Sequence, residues 1–326
     1  AAGAIQHQQR KTADGGASQA VVSTKTPVSP AAQSASILSD TETSQPQATQ
    51  LLHQVLSMIV YGPAFDAKVR ETVWTTGRKV VGVGTYEQAG GGSGRFNLQL
   101  TMHDGDGKHR MQQIGDGRLA WTRTEVSGEV SLHRVDVGRL DEWVKEATEQ
   151  MSISPRYKVG AWTEMLSTIQ RDYVLGVVAM RLKGEPLWVI TGKLSKRRRE
   201  EVLSESGREE WPALYPTRVR VAVRTEPNPE TGFGELLPVR IEFRSDPVPV
   251  ANDAEAADVA AAASGAGGRL ITLIELYSIR PIQPPRAERF RFENQEAEVN
   301  FSNETDRYIQ MYGVQLTERQ RRQLRR

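Results

Sequence analysis

Apolar and polar positions along the 326-residue chain change their rhythm several times. Residues 1–46 are rich in Ala, Ser, Thr, Gln and Pro and carry no large apolar cluster. Such a stretch cannot bury enough apolar surface to offset the entropy of ordering it, so it is expected to be a disordered tail, either a tether or inert. From Gln47 onward, Leu51, Leu52, Val55, Leu56, Ile59 and Val60 recur at three- and four-residue steps, which predicts a helix with one apolar face. Gly62-Pro63 ends it.

The period then falls to two. Phe65, Ala67, Val69 and Val73 alternate with polar neighbours except at one step, residues 80–86 follow, and Gly90-Gly91-Gly92 makes a turn. Phe96, Leu98, Leu100 and Met102 alternate with Asn97, Gln99 and Thr101, the pattern of a half-buried strand. Asp104-Gly105-Asp106-Gly107 predicts a hairpin, because Asp-Gly readily adopts positive φ. Residues 109–114, 119–124 and 130–137 continue the meander. Residues 140–150 and 162–171 read as helices, the second with Trp162, Met165, Leu166 and Ile169 on one face. Strands resume at 176–183, 187–194, 217–225, 237–243 and 270–279, the last apolar enough to suggest cover on both faces. The charged stretch 195–210 fits a short exposed helix or a long loop. Residues 289–292, with 298–301, are expected to close the sheet.

The fold class that follows is mainly β within α+β: one large, curved antiparallel sheet of about eleven strands, an unclosed barrel with lid helices. So wide a twisted sheet curls, and its concave face needs cover. The domain is expected to span 47–312, interrupted by a Pro-, Ala- and Gly-rich disordered insertion at 246–268. A basic tail, 313–326, follows.

Composition narrows the chemistry. Forty-two basic and 40 acidic residues leave a net charge of +2, which gives no reason to expect nucleic acid as a partner. The chain has no cysteine, which removes thiolate metal sites, thiol nucleophiles and disulfides, and suits an oxidising compartment. Ala1-Ala2-Gly3-Ala4 looks like the end left by signal-peptide removal, so export is expected. No stretch reaches the roughly 18 apolar residues of a membrane span.

Catalytic constellations are not evident. His7, His53, His103, His109 and His133 show no helical ligand spacing, and His103 and His109 merely flank a turn. Asp104 opens a fragment with a calcium-loop flavour, but its twelfth position is Gly115, where a bidentate Glu is required. Gly82-Val83-Gly84 and Gly90-Gly91-Gly92 do not lead into a helix with Lys-Ser/Thr. No Gly-x-Ser-x-Gly elbow occurs. The reading is therefore not an enzyme, with no cofactor and no metal.

The element order and several short motifs resemble the LolA/LolB-type lipoprotein-carrier fold, shared with RseB-type regulators. The matching residues are the helix 51–60, Gly94-Arg95-Phe96 with Leu98 and Leu100, and Ile114-Gly115-Asp116-Gly117-Arg118-Leu119-Ala120-Trp121. The strand at 132–137, the lid pair Met165-Leu166 and Phe290-Arg291-Phe292 complete the set, over roughly residues 47–301. Residues 293–303 lack the family's Pro-Gly pattern after Phe-x-Phe. The insertion and the Arg-rich tail are also additions.

The resemblance implies a carrier or chaperone of the periplasm or cell envelope that holds lipid or lipoprotein acyl chains in an apolar cavity. The alternative it leaves open is an envelope sensor that binds a peptide or protein partner. The expected wall residues are Phe96, Leu98, Leu100, Trp121, Leu132, Val219, Val221 and Ile241, with Met165, Leu166 and Ile169 from the lid. Arg319, Arg321, Arg322, Arg325 and Arg326 are expected to meet an anionic membrane surface. Lys196-Arg197-Arg198-Arg199 reads as a solvated run balanced by Glu200, Glu201 and Glu205.

Overall fold

The computed structural model describes residues 45–75, 78–105, 107–147, 153–182, 184–246, 268–294, 299–313 and 316–324. Most of the expected N-terminal tail (1–44) and most of the expected insertion (247–267) lie outside the described residues. Helix α1 (Gln45–Tyr61) is followed by β1 (Phe65–Trp74), β2 (Lys79–Gln88), β3 (Arg95–His103), β4 (Lys108–Asp116), β5 (Leu119–Val126) and β6 (Glu129–Asp136). Helices α2 (Val137–Ala147) and α3 (Ala161–Asp172) lead to β7 (Tyr173–Leu182) and β8 (Glu185–Leu194). Then come α4 (Lys196–Ser206), β9 (Arg218–Arg224), β10 (Pro238–Arg244) and β11 (Leu270–Pro281). A 3-10 turn (Ala287–Phe290), β12 (Phe301–Asn303), α5 (Thr305–Met311) and α6 (Glu318–Leu324) end the described chain. None of these helices is long and apolar enough to cross a membrane.

The twelve strands of the described residues belong to one sheet, in the order β12-β6-β5-β4-β3-β2-β1-β11-β10-β9-β8-β7. Two meanders, β1 to β6 and β7 to β11, are joined where the first strand meets the eleventh, from Phe65 opposite Pro281 to Val73 opposite Thr272. Every pairing is antiparallel except β12 on β6. Strands β12 and β7 are the two edges and do not pair with each other, so the barrel is not closed.

Alternation decides the faces. Tyr86 stands opposite Leu98, Val69 opposite Leu276, and Ile241 opposite both Ile274 and Val221. These positions form one buried cluster that reaches from Leu98 and Met111 on one side to Val177 and Ile190 on the other, with α1 and α3 inside it. Residues from opposite ends of the sheet meet the same two helices, so the sheet curls around them. A smaller cluster of Ala120, Val135, Val137, Leu140, Trp143, Val144, Val159, Tyr308 and Ile309 packs α2 and α5 against β5 and β6.

Local chemistry explains the boundaries. α1 begins at Gln45, two residues before its apolar period, with Pro46 in a first turn that needs no proline N–H. The charged stretch after β8 resolves as helix α4, capped where the Ser195 hydroxyl accepts from the Arg198 N–H and ended by Gly207 at φ +61°. Its basic run is largely paired: Arg197 and Arg198 with Glu201, Arg198 also with Glu205, and Arg199 with Asp246.

Three expectations are corrected. Strand β11 is covered on both faces only at its start, where Ile271 and Thr272 are both buried; on the outer parity Leu273 and Glu275 are half-buried and Tyr277 is exposed. Residues 289–292 are not a strand: Phe290 ends the 3-10 turn, which packs on β3 and β4 and buries that ring completely. Finally, of the segment expected as the last strand only its end is a described strand, Phe301–Asn303, and it joins β6 in parallel where an antiparallel neighbour was expected.

Candidate functional site: inner wall, lid helix and outer groove

Nine of the eleven expected wall residues come together. Phe96, Leu98, Leu100, Val219, Val221 and Ile241 of the sheet and Met165, Leu166 and Ile169 of α3 share one cluster, each at most 6% exposed. Their spacing explains the meeting: period two on β3 and β9 turns each set inward, and the i, i+3, i+4, i+7 set of α3 faces it.

Both ends of α3 are tied. At its start Gly160 adopts φ +84°, and a Cβ there would lie 2.3 Å from the Phe96 ring. The Ala161 N–H donates to Gln113 Oε1 at 2.8 Å, and the Gly160 N–H donates to Glu164 Oε2 at 2.8 Å. At its end, buried Asp172 sits between Arg171 (2.8 Å) and Arg198 (3.7 Å), and its carbonyl accepts from the Ser195 N–H.

The hollow is occupied by the chain's own side chains. Leu52, Val55, Leu56 and Ile59 of α1 enter the same cluster, alongside Trp162, Tyr86, Val177, Ile190, Val223 and Ile274. The sequence reading missed α1 as a filler of the wall, although its apolar face was visible. A helix face shows that it is buried but not against which surface.

Trp121 and Leu132 are corrections. Trp121 pairs with Ile114 and Arg134, and Leu132 pairs with Arg123, all on the outer face of the sheet. The inward residues of these two strands are Ala120 and Val135. Trp121 instead stacks on Phe292 at 4.8 Å and meets Phe301 edge-on at 5.4 Å, while Arg134 lies 4.3 Å over the Phe301 ring. In β6, Val130 and Leu132 share one parity and Val135 the other, so apolar character alone did not choose a face.

Polar groups inside the wall are few. Tyr86 donates to Gln88 Oε1 at 2.5 Å. Glu71 is 1% exposed on the inner face of β1, opposite Gly82 and Ile274, and its Oε1 has no hydrogen-bond partner. Burial pushes its carboxyl up to about 7. The Trp162 indole N–H is likewise buried without an acceptor.

The outer face carries a groove of about 620 Å³ between the sheet and the segment after β11. Asn97, Arg110, Gln112, Ile114, Arg123 and Glu125 line its floor, and Glu288, Arg289, Arg291, Phe292 and Glu293 its wall. Arg110 and Arg123 share Glu125 at 3.5 and 3.2 Å, and Arg289 pairs with Glu87 at 2.8 Å.

His109 is held by Asp104 at 2.7 Å, and the Gly107 N–H donates to the same carboxylate, so this acidic turn locks a hairpin. Among the described residues no three His, Asp or Glu side chains group as metal ligands would. Arg319, Arg321 and Arg322 stand exposed on α6, where Arg322 pairs with Glu318 at 3.7 Å; Arg325 and Arg326 lie outside the described residues.

No family model matches the chain, and no curated protein matches it. Several solved structures are similar to it. One is a chain of the Pseudomonas aeruginosa MucA/MucB complex, at 11% identity and TM-score 0.36, covering 76% of this chain and 61% of that one. A DUF1329 family protein from Desulfovibrio piger shows 9% identity and TM-score 0.33, covering 76% and 98%. A putative outer membrane lipoprotein-sorting protein domain from Vibrio parahaemolyticus shows 6% identity and TM-score 0.32, covering 76% and 97%. The chain thus spans less than two thirds of the MucA/MucB complex chain it matches.

Proposed function

We propose that this chain is a non-enzymatic, exported protein of the periplasm or cell envelope that takes the acyl chains of a lipid or lipoprotein between its inner wall and α3. The observation that carries this reading is the single apolar cluster in which six sheet residues face Met165, Leu166 and Ile169. On this reading the described form, its hollow filled by α1 and α3, is the unloaded one, and α3 would give way to the acyl chain.

Magnitudes make an exchange reasonable. The four buried side chains of α3 that face the sheet contribute roughly 6–12 kcal/mol at about 1.5–3 kcal/mol each. A sixteen-carbon chain leaving water gains roughly 13 kcal/mol at about 0.8 per methylene. The two terms are close, which suits a carrier that loads and unloads. Arg319, Arg321 and Arg322, with Arg325 and Arg326 beyond them, would hold it near anionic headgroups at about 1 kcal/mol per charge.

Native mass spectrometry of protein purified from a lipid-containing host tests this. Bound lipid is expected, and it should be lost in Leu100→Asp and Ile169→Asp while circular dichroism stays that of a folded sheet. Lipid-free wild-type protein, after both native spectrometry and solvent extraction, would sink the reading.

A second reading is favoured by the filled interior: the protein binds a partner chain and not a lipid. Pull-down would then recover a protein while lipid extraction recovers nothing.

A further inference from the structure

The outer groove is separate from the inner wall, and we infer that it is a binding site for an extended peptide segment bearing both an acidic and a basic side chain. This inference rests on the partner-binding reading and is independent of the lipid one. The groove is a built feature. Its wall is fixed at three points: Phe290 is fully buried, Phe292 is stacked on Trp121, and Arg289 is paired with Glu87. Its floor is three neighbouring strands whose register brings Asn97 opposite Ile114, Gln112 opposite Arg123, and Arg110 opposite Glu125.

The lining selects among ligand classes. An acyl chain needs apolar walls, yet only Ile114 and Phe292 supply any here. A nucleic acid or phosphate ligand needs an excess of cations, yet Glu125 already serves both Arg110 and Arg123, and Glu288 and Glu293 add negative charge at the rim. What remains is mixed. Asn97 Oδ1 is a buried acceptor without a partner, and Gln112 beside it adds a second side-chain amide. Two amides that donate and accept in turn match the N–H and C=O groups of a peptide main chain. Among the described residues exposed Arg291 forms no ion pair and suits a carboxylate, whereas Glu288 and Glu293 suit a basic side chain. From Ile114 to Arg110 the floor runs about 13 Å at some 3.3 Å per residue, the length of roughly four extended residues.

The test uses the chain with groove residues replaced. Phage-displayed random heptapeptides are selected on wild-type protein, and enriched peptides are measured by fluorescence anisotropy at two salt concentrations. Enrichment of sequences holding an acidic and a basic residue two to four positions apart is expected. Arg291→Glu should weaken them at least tenfold, Gln112→Ala several-fold, and a change at exposed Arg208 just after α4, Arg208→Glu, not at all. Thermal unfolding confirms that each variant is folded. No enrichment over an unrelated protein, equal affinity for wild type and Arg291→Glu, or binding of inorganic phosphate or oligonucleotide in place of peptide overturns the inference. A protein partner whose capture ignores Arg291→Glu would refute the groove while leaving the partner-binding reading intact. Absence of any partner would fail that reading itself.

Discussion

Tyr308 donates its hydroxyl to Glu164 Oε1 at 2.7 Å, joining the helix that follows the last strand to the first turn of α3. The same carboxylate accepts from the Gly160 N–H through its other oxygen, so one side chain serves both as the start of α3 and as the anchor of α5. The contact spans 144 positions of sequence. Replacing Tyr308 with Phe keeps the ring and removes a buried hydrogen bond to a charged group, which should cost about 1.5–3 kcal/mol. Urea unfolding would measure the loss. Hydrogen exchange should show it concentrated in the first turn of α3, and uniform exchange across the sheet would argue against the link.

Leu166 is fully buried between α3 and the sheet. Leu166→Ala should destabilise the protein by about 2–5 kcal/mol through lost transfer energy and the cavity left behind. If α3 is the displaceable lid, the same variant should bind lipid more tightly in native mass spectrometry, because the competing helix is weakened. Gly160→Ala should instead strain the start of α3, where φ is positive and the Phe96 ring stands in the way.

Glu71 predicts an unusual pH dependence. Its ordinary value is 4.5, and burial raises it to about 7. The folded chain therefore holds this proton more tightly than the unfolded chain. Its contribution favours folding fully below about pH 4.5 and declines as the pH rises to about 7, a loss of roughly 3 kcal/mol for a shift of this size. Glu71→Gln cannot ionise, so the difference in unfolding free energy between variant and wild type should grow across this window and then level off. A difference independent of pH between 4 and 8 would show that the carboxyl does not titrate there.

His133 of β6 lies 3.0 Å from Glu304, just before α5. The close Glu304 carboxylate raises the imidazole above its ordinary 6.5, outweighing partial burial. A raised value on a cationic group means the contribution is complete below 6.5 and fades as the pH climbs through the folded value. Glu304→Gln should lower the His133 midpoint followed by NMR of its ring protons. An unchanged midpoint would remove Glu304 as the cause.

Much of this architecture was legible in residue periodicity. The alternation of Phe96, Leu98 and Leu100 needs no partner to reveal a half-buried strand, and the faces of α1 and α3 follow from steps of three and four. Asp-Gly turns marked the hairpins of the first meander. These signals are local, set by backbone geometry within a few residues. Trp121 and Leu132 went astray because β5 and β6 carry apolar residues of both parities, and a slip of one position moves a side chain to the opposite face.

What the sequence determined by itself is the kind of most elements from α1 to β11 and the buried face of those with one clear period; the helices α4, α5 and α6 and the turn at Ala287–Phe290 were not fixed by local pattern. Only the tertiary structure decided that β1 pairs with β11, that α1 and α3 together fill the hollow, and that the Phe290–Phe292 segment lies across the outer face instead of joining the sheet. These are contacts between residues far apart in the chain, such as Asp66 with Arg280, 214 positions apart, or Glu87 with Arg289, 202 apart. Their free energy depends on which surfaces meet once the chain is closed, a property that no window of neighbouring residues contains.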